Sequence, residues 1–404
     1  MKDKRTLLLL GGSRQQVPAI EKAKEMGFRT VLIDYLPDNP GQHVADKWYQ
    51  ESTTDVEAVY RIAKEENVDG ILPYASDPAA LPAAIVCERL GLPTNPAGSV
   101  EILGLKHKFR EFLHDNGLPC PNFRIISAGE NFEDINSNIS ALEFPIVIKP
   151  TDSSGSKGVT VLETPDDLRD AIRSAKQYSR NGILIAEEFI QRGFPDVIGG
   201  DIFVEDGRIT LLGDMAAIRE SSTNGLIPVG ERKPNGLNSI QRENLLNELQ
   251  RVVSALGINN GELNIELLLD KNDLPHFLEL GPRAGGNMIP IQLSDAYGVD
   301  LIEANIKAAM GLPVNLELKE NSDCYLTYVL HCDKDGIFEG VEYDDLIKPY
   351  IYRKVIYKEK GDQVEAFDGA GKALGIIFMK FPDSEVMNKI QNKLGSLIQV
   401  KLHE

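Results

Sequence analysis

The sequence is short of several things, and each shortage narrows the choice of function. Its 404 residues hold four cysteines, Cys87, Cys120, Cys324 and Cys332. They form no Cys-x-x-Cys pair and no zinc spacing, so they read as packing residues in a reduced, cytoplasmic chain. None of the six histidines sits in a telling motif, and no general base can be named from them. The apolar run Leu7–Leu10 stops at Gly11-Gly12, too short for the core of a signal peptide, and no apolar stretch approaches a membrane span. Positive charge is scarce: 43 Lys and Arg stand against 61 Asp and Glu, a net charge of −18. Such a surface repels nucleic-acid phosphates and anionic lipid, so neither nucleic acid nor membrane is expected as a partner. Internal repeats and low-complexity tracts are absent.

What is present is an ordinary globular balance, 42% hydrophobic and 26% charged, in a chain long enough for two or three domains. Strand-like apolar runs at 6–10, Thr30–Asp34 and Gly70–Pro73 alternate with helical patterns up to Asn95-Pro96. That alternation predicts a parallel α/β unit covered on both faces. Beyond it come a helical stretch holding Lys106–Asn116, a less regular region from 122 to 215, and a long helix over 238–256. Two apolar strands follow, Leu263–Leu269 and His276–Leu280, joined by the turn Asp270–Asp273. Residues after 325 read as strand-rich, with a late helix at 384–397.

Three local signals carry chemistry. The first is Ser153-Ser154-Gly155-Ser156-Lys157-Gly158-Val159, a small-residue loop after a strand that ends in Ile148-Lys149-Pro150. Small residues let backbone N–H groups approach phosphate oxygens, and a lysine closing an apolar strand calls for a counter-charge. A plain hairpin loop reads the same way, and the segment is no Walker A motif. The second is the pair Glu266 and Glu279, each inside an apolar run of an expected antiparallel hairpin. Two carboxylates on one face suit a hard cation such as Mg²⁺; two solvent-facing acids are the plainer alternative. The third is Gly281-Pro282-Arg283-Ala284-Gly285-Gly286-Asn287, which sets a guanidinium just beyond those acids.

In this order the pieces resemble the ATP-grasp superfamily, which includes carboxylate–amine ligases, biotin carboxylase, carbamoyl-phosphate synthetase and purine-pathway ligases. The resemblance runs from Leu7 to about Leu397, and its specificity lies in the ordered combination. It implies a multidomain α/β and α+β chain. Residues 1–96 would be a parallel pre-ATP-grasp domain. Residues 97–320 would be a two-lobed ATP-grasp domain, with a nucleotide-lid subdomain at about 122–190. Residues 321–404 would be a small β-rich subdomain. By position, Lys106 and Lys149 correspond to the two phosphate-binding lysines, and Ser153–Val159 to the loop that closes over the phosphates. Glu187-Glu188-Phe189-Ile190 corresponds to the adenine hinge, acting through the Glu187 carbonyl and the Ile190 backbone. Glu266 and Glu279 correspond to the Mg²⁺ (or Mn²⁺) ligands, and Arg283 to the arginine that steadies the transferring group.

Two positions depart from the pattern. Gly281 replaces an asparagine that usually ligates metal, with Asn264, Asn287 or water as substitutes. The ribose-binding acid is matched only by Asp196, in Gly193-Phe194-Pro195-Asp196. The fingerprint Gly-x-Gly-x-x-Gly is absent at Gly11-Gly12-Ser13, which argues against a nicotinamide dehydrogenase. Asp77 is either part of a second-substrate face, as in relatives, or a helix cap. The resemblance thus implies an ATP- and Mg²⁺-dependent, ADP-forming ligase. It would activate a carboxylate as an acyl-phosphate for attack by an amine, both small molecules. A bicarbonate-activating carboxylase of the purine type and a degenerate nucleotide-binding protein are the alternatives, and a homodimer is left open.

Overall fold

The computed structural model describes residues 4–153, 157–220, 227–319 and 322–403. The first unit is built from β1 (Thr6–Leu10), α1 (Val17–Glu25), β2 (Arg29–Asp34), β3 (Lys47–Gln50), α2 (Val56–Glu65), β4 (Gly70–Leu72) and α3 (Asp77–Leu90). Its four strands are parallel, in the order β3-β2-β1-β4. Every residue of β1 is buried, which is why that strand is continuously apolar rather than alternating. Leu8 and Leu10 face one core and Leu7 and Leu9 the other.

Helices α4 (Ala97–Gly104) and α5 (Lys106–Asp115) lead into a second sheet. That sheet comprises β5 (Phe123–Ile126), β6 (Ile146–Pro150), β7 (Thr160–Leu162) and β8 (Leu184–Glu188), in the antiparallel order β5-β8-β6-β7. Helices α6 (Phe132–Ile139) and α7 (Leu168–Tyr178) cover it. In α7 the buried residues Leu168, Ala171, Ile172 and Ala175 recur at helical spacing, so one face packs and the other stays polar.

The large sheet begins with β9 (Ile198–Glu205), β10 (Arg208–Ile218) and β11 (Gly230–Lys233). After α8 (Ser239–Leu256) come β12 (Gly261–Leu269) and β13 (Pro275–Gly281). Helix α8 starts at a capping box between Asn238 and Gln241 and ends at Gly257 in the left-handed region. Its stripe Leu245, Leu249, Val252, Val253 and Leu256 packs on Ile198, Ile202, Leu263 and Leu267. Each such fully buried side chain contributes about 1.5–3 kcal/mol. Helices α9 (Ile289–Tyr297) and α10 (Leu301–Ala309) precede β14 (Cys324–Leu330), β15 (Gly336–Tyr343), β16 (Ile351–Ile356), β17 (Gln363–Val364) and β18 (Gly375–Phe381). The chain closes with α11 (Ser384–Gln391), α12 (Leu394–Leu397) and β19 (Ile398–His403). The large sheet reads β13-β12-β9-β10-β11-β14-β18-β16, so strands from beyond residue 321 extend it; β17-β15-β19 form a small sheet of their own. Helix α5 bridges the second sheet and the β12–β13 hairpin, and the chemistry gathers in the cleft between them.

Candidate active site

The hairpin of β12 and β13 sets Glu266 directly opposite Glu279, with a bulge immediately after Glu266. Directly opposed residues project from the same face, so both carboxylates point into one space. Each holds a cation: Lys106 Nζ lies 3.1 Å from Glu279, and an Arg219 guanidinium nitrogen lies 2.9 Å from Glu266. Lys106 also donates to the Ser153 carbonyl at 2.8 Å. Burial, and then the Glu279 charge against the pull of Arg219, leave the Glu266 carboxyl above the usual range. Two oxygen-donor carboxylates held by exchangeable cations fit a hard divalent ion. Among the described residues no group of three or more His, Cys, Asp or Glu converges on one point, so phosphate and water would complete its shell.

Lys149 ends β6 with 7% of its surface exposed, and its Nζ lies 2.5 Å from Glu187 on β8. Burial lowers the lysine's pKa against the opposing pull of Glu187. Arg110 is fully buried; its Nε lies 2.7 Å from the other Glu187 oxygen, and it donates to the Leu278 carbonyl at 3.2 Å. Burial works against charge on Glu187, but Arg110 and Lys149 outweigh it and keep that carboxyl below the usual range. The Glu187 side chain is thus the centre of a buried ion cluster, whereas the sequence pointed only to its backbone carbonyl. Glu188 is half-buried, accepting from Asn122 at 2.8 Å and from the Glu143 N–H at 2.9 Å. Phe189 is an exposed aromatic beside it, followed by Ile190. Asp196 is held by Arg232 at 2.5 Å. Of the small-residue loop, Ser153 meets Lys106 and donates to the Lys157 carbonyl at 3.4 Å, and Gly158 faces Tyr178, Ala175 and Pro150, while Ser154, Gly155 and Ser156 lie outside the described residues.

Arg283 reaches back to the first unit and binds Asp77 in a two-pronged contact, at 2.7 and 2.5 Å. Burial opposes its charge, and Asp77 more than compensates, so its pKa is raised. That contact crowds Gly281: a Cβ there would lie 3.1 Å from the Asp77 carboxylate and 3.3 Å from the Arg283 guanidinium carbon. Asp77 therefore does more than open α3. Asn264 donates through Nδ2 to Asp201 at 2.8 Å and to the Gly200 carbonyl at 2.9 Å, bonds that use its amide nitrogen and not the oxygen a metal would take.

Beneath the arginine loop, Asp201 accepts from the Gly285 N–H at 2.9 Å, and a Cβ at Gly285 would meet that carboxylate at 2.6 Å. Burial raises the pKa of Asp201 and of its neighbour Glu262, and the Asp201 charge raises Glu262 further. Glu231 on β11 is a further buried carboxyl, 5% exposed, with one oxygen lacking any hydrogen bond. Burial first and the Glu266 charge second push it up to about 8. Arg110, Arg219, Asp201 and Glu231 were all missed from sequence. Only Arg110 carried a signal, since it lies four residues after Lys106 and so on the same helix face.

The glycines of the first unit are filled by the chain itself. Gln16 donates to the Leu10 and Tyr74 carbonyls, and a Cβ on Gly11 would lie 2.2 Å from its amide. Asp34 accepts from the Gly12 N–H at 2.7 Å.

A two-sheet cleft with two lysines and a pair of opposed acids, on this topology, defines an ATP-grasp ligase, an enzyme that uses ATP and releases ADP. Residues 106–317 match the family described as carbamoyl-phosphate synthase L chain, ATP binding domain, and the chain belongs to that family. A formate-dependent phosphoribosylglycinamide formyltransferase of Syntrophotalea carbinolica is 25% identical over 98% of this chain and 96% of its own length. The L-amino acid ligase of Bacillus licheniformis has the same fold, with a TM-score of 0.82 at 20% identity over all of both chains. So does the biotin carboxylase domain of Hydrogenobacter thermophilus 2-oxoglutarate carboxylase, solved with MgADP and bicarbonate. Its TM-score is 0.80 at 16% identity, over 100% of this chain and 92% of that one. Among the described residues no helix is long and apolar enough to cross a membrane.

Proposed function

We propose that the chain activates a small carboxylic acid as an acyl-phosphate and passes the acyl group to an amine, forming a C–N bond. The observation that carries this is the Glu266–Glu279 pair, opposed in register and faced by Lys106 and Arg219. Formate is a carboxylate, and the formyltransferase relative matches nearly end to end, which supports a carboxylate donor. Bound Mg²⁺, held by Glu266 and Glu279, would supply charge neutralisation on the phosphates. Lys106 and Lys149 are assigned to the phosphate oxygens, Ser153, Lys157 and Gly158 to the loop beside them, Glu187–Ile190 to the base and Asp196 to the ribose. A carboxylate oxygen of the donor attacks the γ-phosphorus, and ADP leaves. Arg283, oriented by Asp77, steadies the anionic oxygens of the mixed anhydride. The amine then attacks the acyl carbon, phosphate departs, and the amine proton is lost to solvent or phosphate. Catalysis of this kind is mainly positioning and electrostatics. The four free cysteines suit a reducing compartment, and we place the enzyme in the cytoplasm.

The test is ADP release from Mg-ATP across a panel of formate, acetate, amino acids and bicarbonate, each with and without amines. The wild type is compared with Lys149→Ala and Glu279→Ala. Release that needs both a carboxylate and an amine, and vanishes in both variants, supports the ligase reading. Release driven by bicarbonate alone would transfer the chain to the carboxylase branch. Mg-ATP binding without turnover on any donor would favour a binding protein.

A further inference from the structure

The least expected group in the cleft is Arg110. A fully buried arginine costs several kcal/mol in desolvation unless its partners are well placed. Here the partners are parts of the nucleotide site itself. One face of the guanidinium meets Glu187, whose second oxygen holds Lys149, and another nitrogen holds the carbonyl of Leu278, next to Glu279. Two N–H groups of Arg110, on Nε and Nη1, are buried without an aligned hydrogen-bond acceptor. The cluster therefore holds two cations, Arg110 and Lys149, and one anion, Glu187, all buried, with only the edge of Lys149 open to solvent.

The imbalance has a consequence for Lys149. If Lys149 were the sole partner of Glu187, drawing the ammonium toward a ligand would leave a bare carboxylate in a low-dielectric site. That costs far more than exchanging one partner for another. With Arg110 fixed against the same carboxylate, Lys149 can shift and Glu187 stays paired. Arg110 cannot make that shift itself, because its Leu278 contact ties it to β13.

We propose that Arg110 is a positioning residue of the nucleotide site: it keeps Glu187 neutralised so that Lys149 is free for the phosphates of ATP. This rests on assigning Lys149 to the phosphates. Arg110 is not expected to touch the nucleotide. Its effect is selective, felt by a ligand with a polyphosphate and not by one without.

The experiment is equilibrium titration of the full chain with Mg-ATP and, separately, with adenosine, for the wild type, Arg110→Gln, Arg110→Lys and Glu187→Gln. Arg110→Gln is expected to weaken Mg-ATP by about tenfold or more and adenosine by less than about twofold. Arg110→Lys, which keeps the charge but cannot reach both Glu187 and Leu278, should recover part of that loss. Glu187→Gln frees Lys149 and should widen the preference for ATP over adenosine. A parallel loss for ATP and adenosine in Arg110→Gln would make Arg110 a scaffold residue and overturn the proposal, as would no change in either. If Arg110→Gln loses cooperative unfolding, Arg110→Lys and Glu187→Gln decide: wild-type ATP affinity in the first, or a narrowed ATP preference in the second, overturns it. Lys149→Ala binding Mg-ATP like the wild type would mark failure of the phosphate assignment and not of Arg110.

Discussion

Two regions of this chain meet the same sequence feature, a glycine-bearing loop at a strand end, and treat it in opposite ways. In the parallel unit, Gly11 and Gly12 are packed by Gln16, Asn39 and Asp34, and the loop's own side chains take its hydrogen bonds. In the cleft, Lys106, Lys149, Arg219 and Arg283 are each held by a carboxylate that a metal or a substrate can exchange. The glycines of the first region are packed by side chains of the same chain. What marks the second as an anion site is a set of cations whose carboxylate partners are replaceable. A Gly-rich loop is thus a weak guide to phosphate binding, and the charge balance around it is the better one.

The contrast can be broken at several points. The largest effect is expected from Glu279→Gln, which removes a metal carboxylate and leaves Lys106 without its ion pair. Turnover should fall about 10³-fold, roughly 4 kcal/mol, with the fold intact by circular dichroism. Mn²⁺ binding by electron paramagnetic resonance should weaken in the same variant, and unchanged Mn²⁺ affinity would remove Glu279 from the metal site.

Glu231 tests the cleft through stability. Its carboxyl is held at about 8 when folded against an ordinary value near 4.5. Below the lower value both states are protonated. As pH rises toward 8 only the unfolded state ionises, so stability is lost across that window and levels off above it. Glu231→Gln should therefore raise the unfolding free energy at pH 8 by about 4 kcal/mol and by well under about 1 kcal/mol at pH 4.5, in metal-free protein. A gain independent of pH would show that Glu231 is already ionised in the fold.

Asp77→Asn sharpens the link between the two regions. Arg283 keeps its place in the chain but loses a charged partner, and kcat should drop about 10- to 30-fold with the KM for ATP little changed. An equal rise in the KM for ATP would mean that Asp77 supports the nucleotide site as a whole. The smallest effect is expected at Gly11→Ala. The φ of +107° and the close Gln16 amide make the change costly to stability, about 1–3 kcal/mol, but nucleotide affinity should be untouched. Loss of Mg-ATP binding there would erase the distinction drawn between the two glycine loops.

Sequence by itself determined the alternating α/β order of the first unit, because strands buried on both faces must be continuously apolar and Leu7–Leu10 is. It determined the β12–β13 hairpin too. Glu266 and Glu279 are each flanked by apolar neighbours across a turn, but only the bulge after Glu266, which alternation does not foretell, sets the two acids opposite each other on one face. Lys106 and Lys149 were legible as cations where apolar segments begin or end. Only the tertiary structure decided who partners them. Arg219 reaches Glu266 from a strand 47 residues away, Arg110 meets Leu278 across 168, and Arg283 meets Asp77 across 206. Local patterns of spacing carry information over a turn or a strand, whereas a charge pair is set by the packing of whole sheets. The same limit hid the surroundings of Gly281, which lies against the Asp77–Arg283 contact.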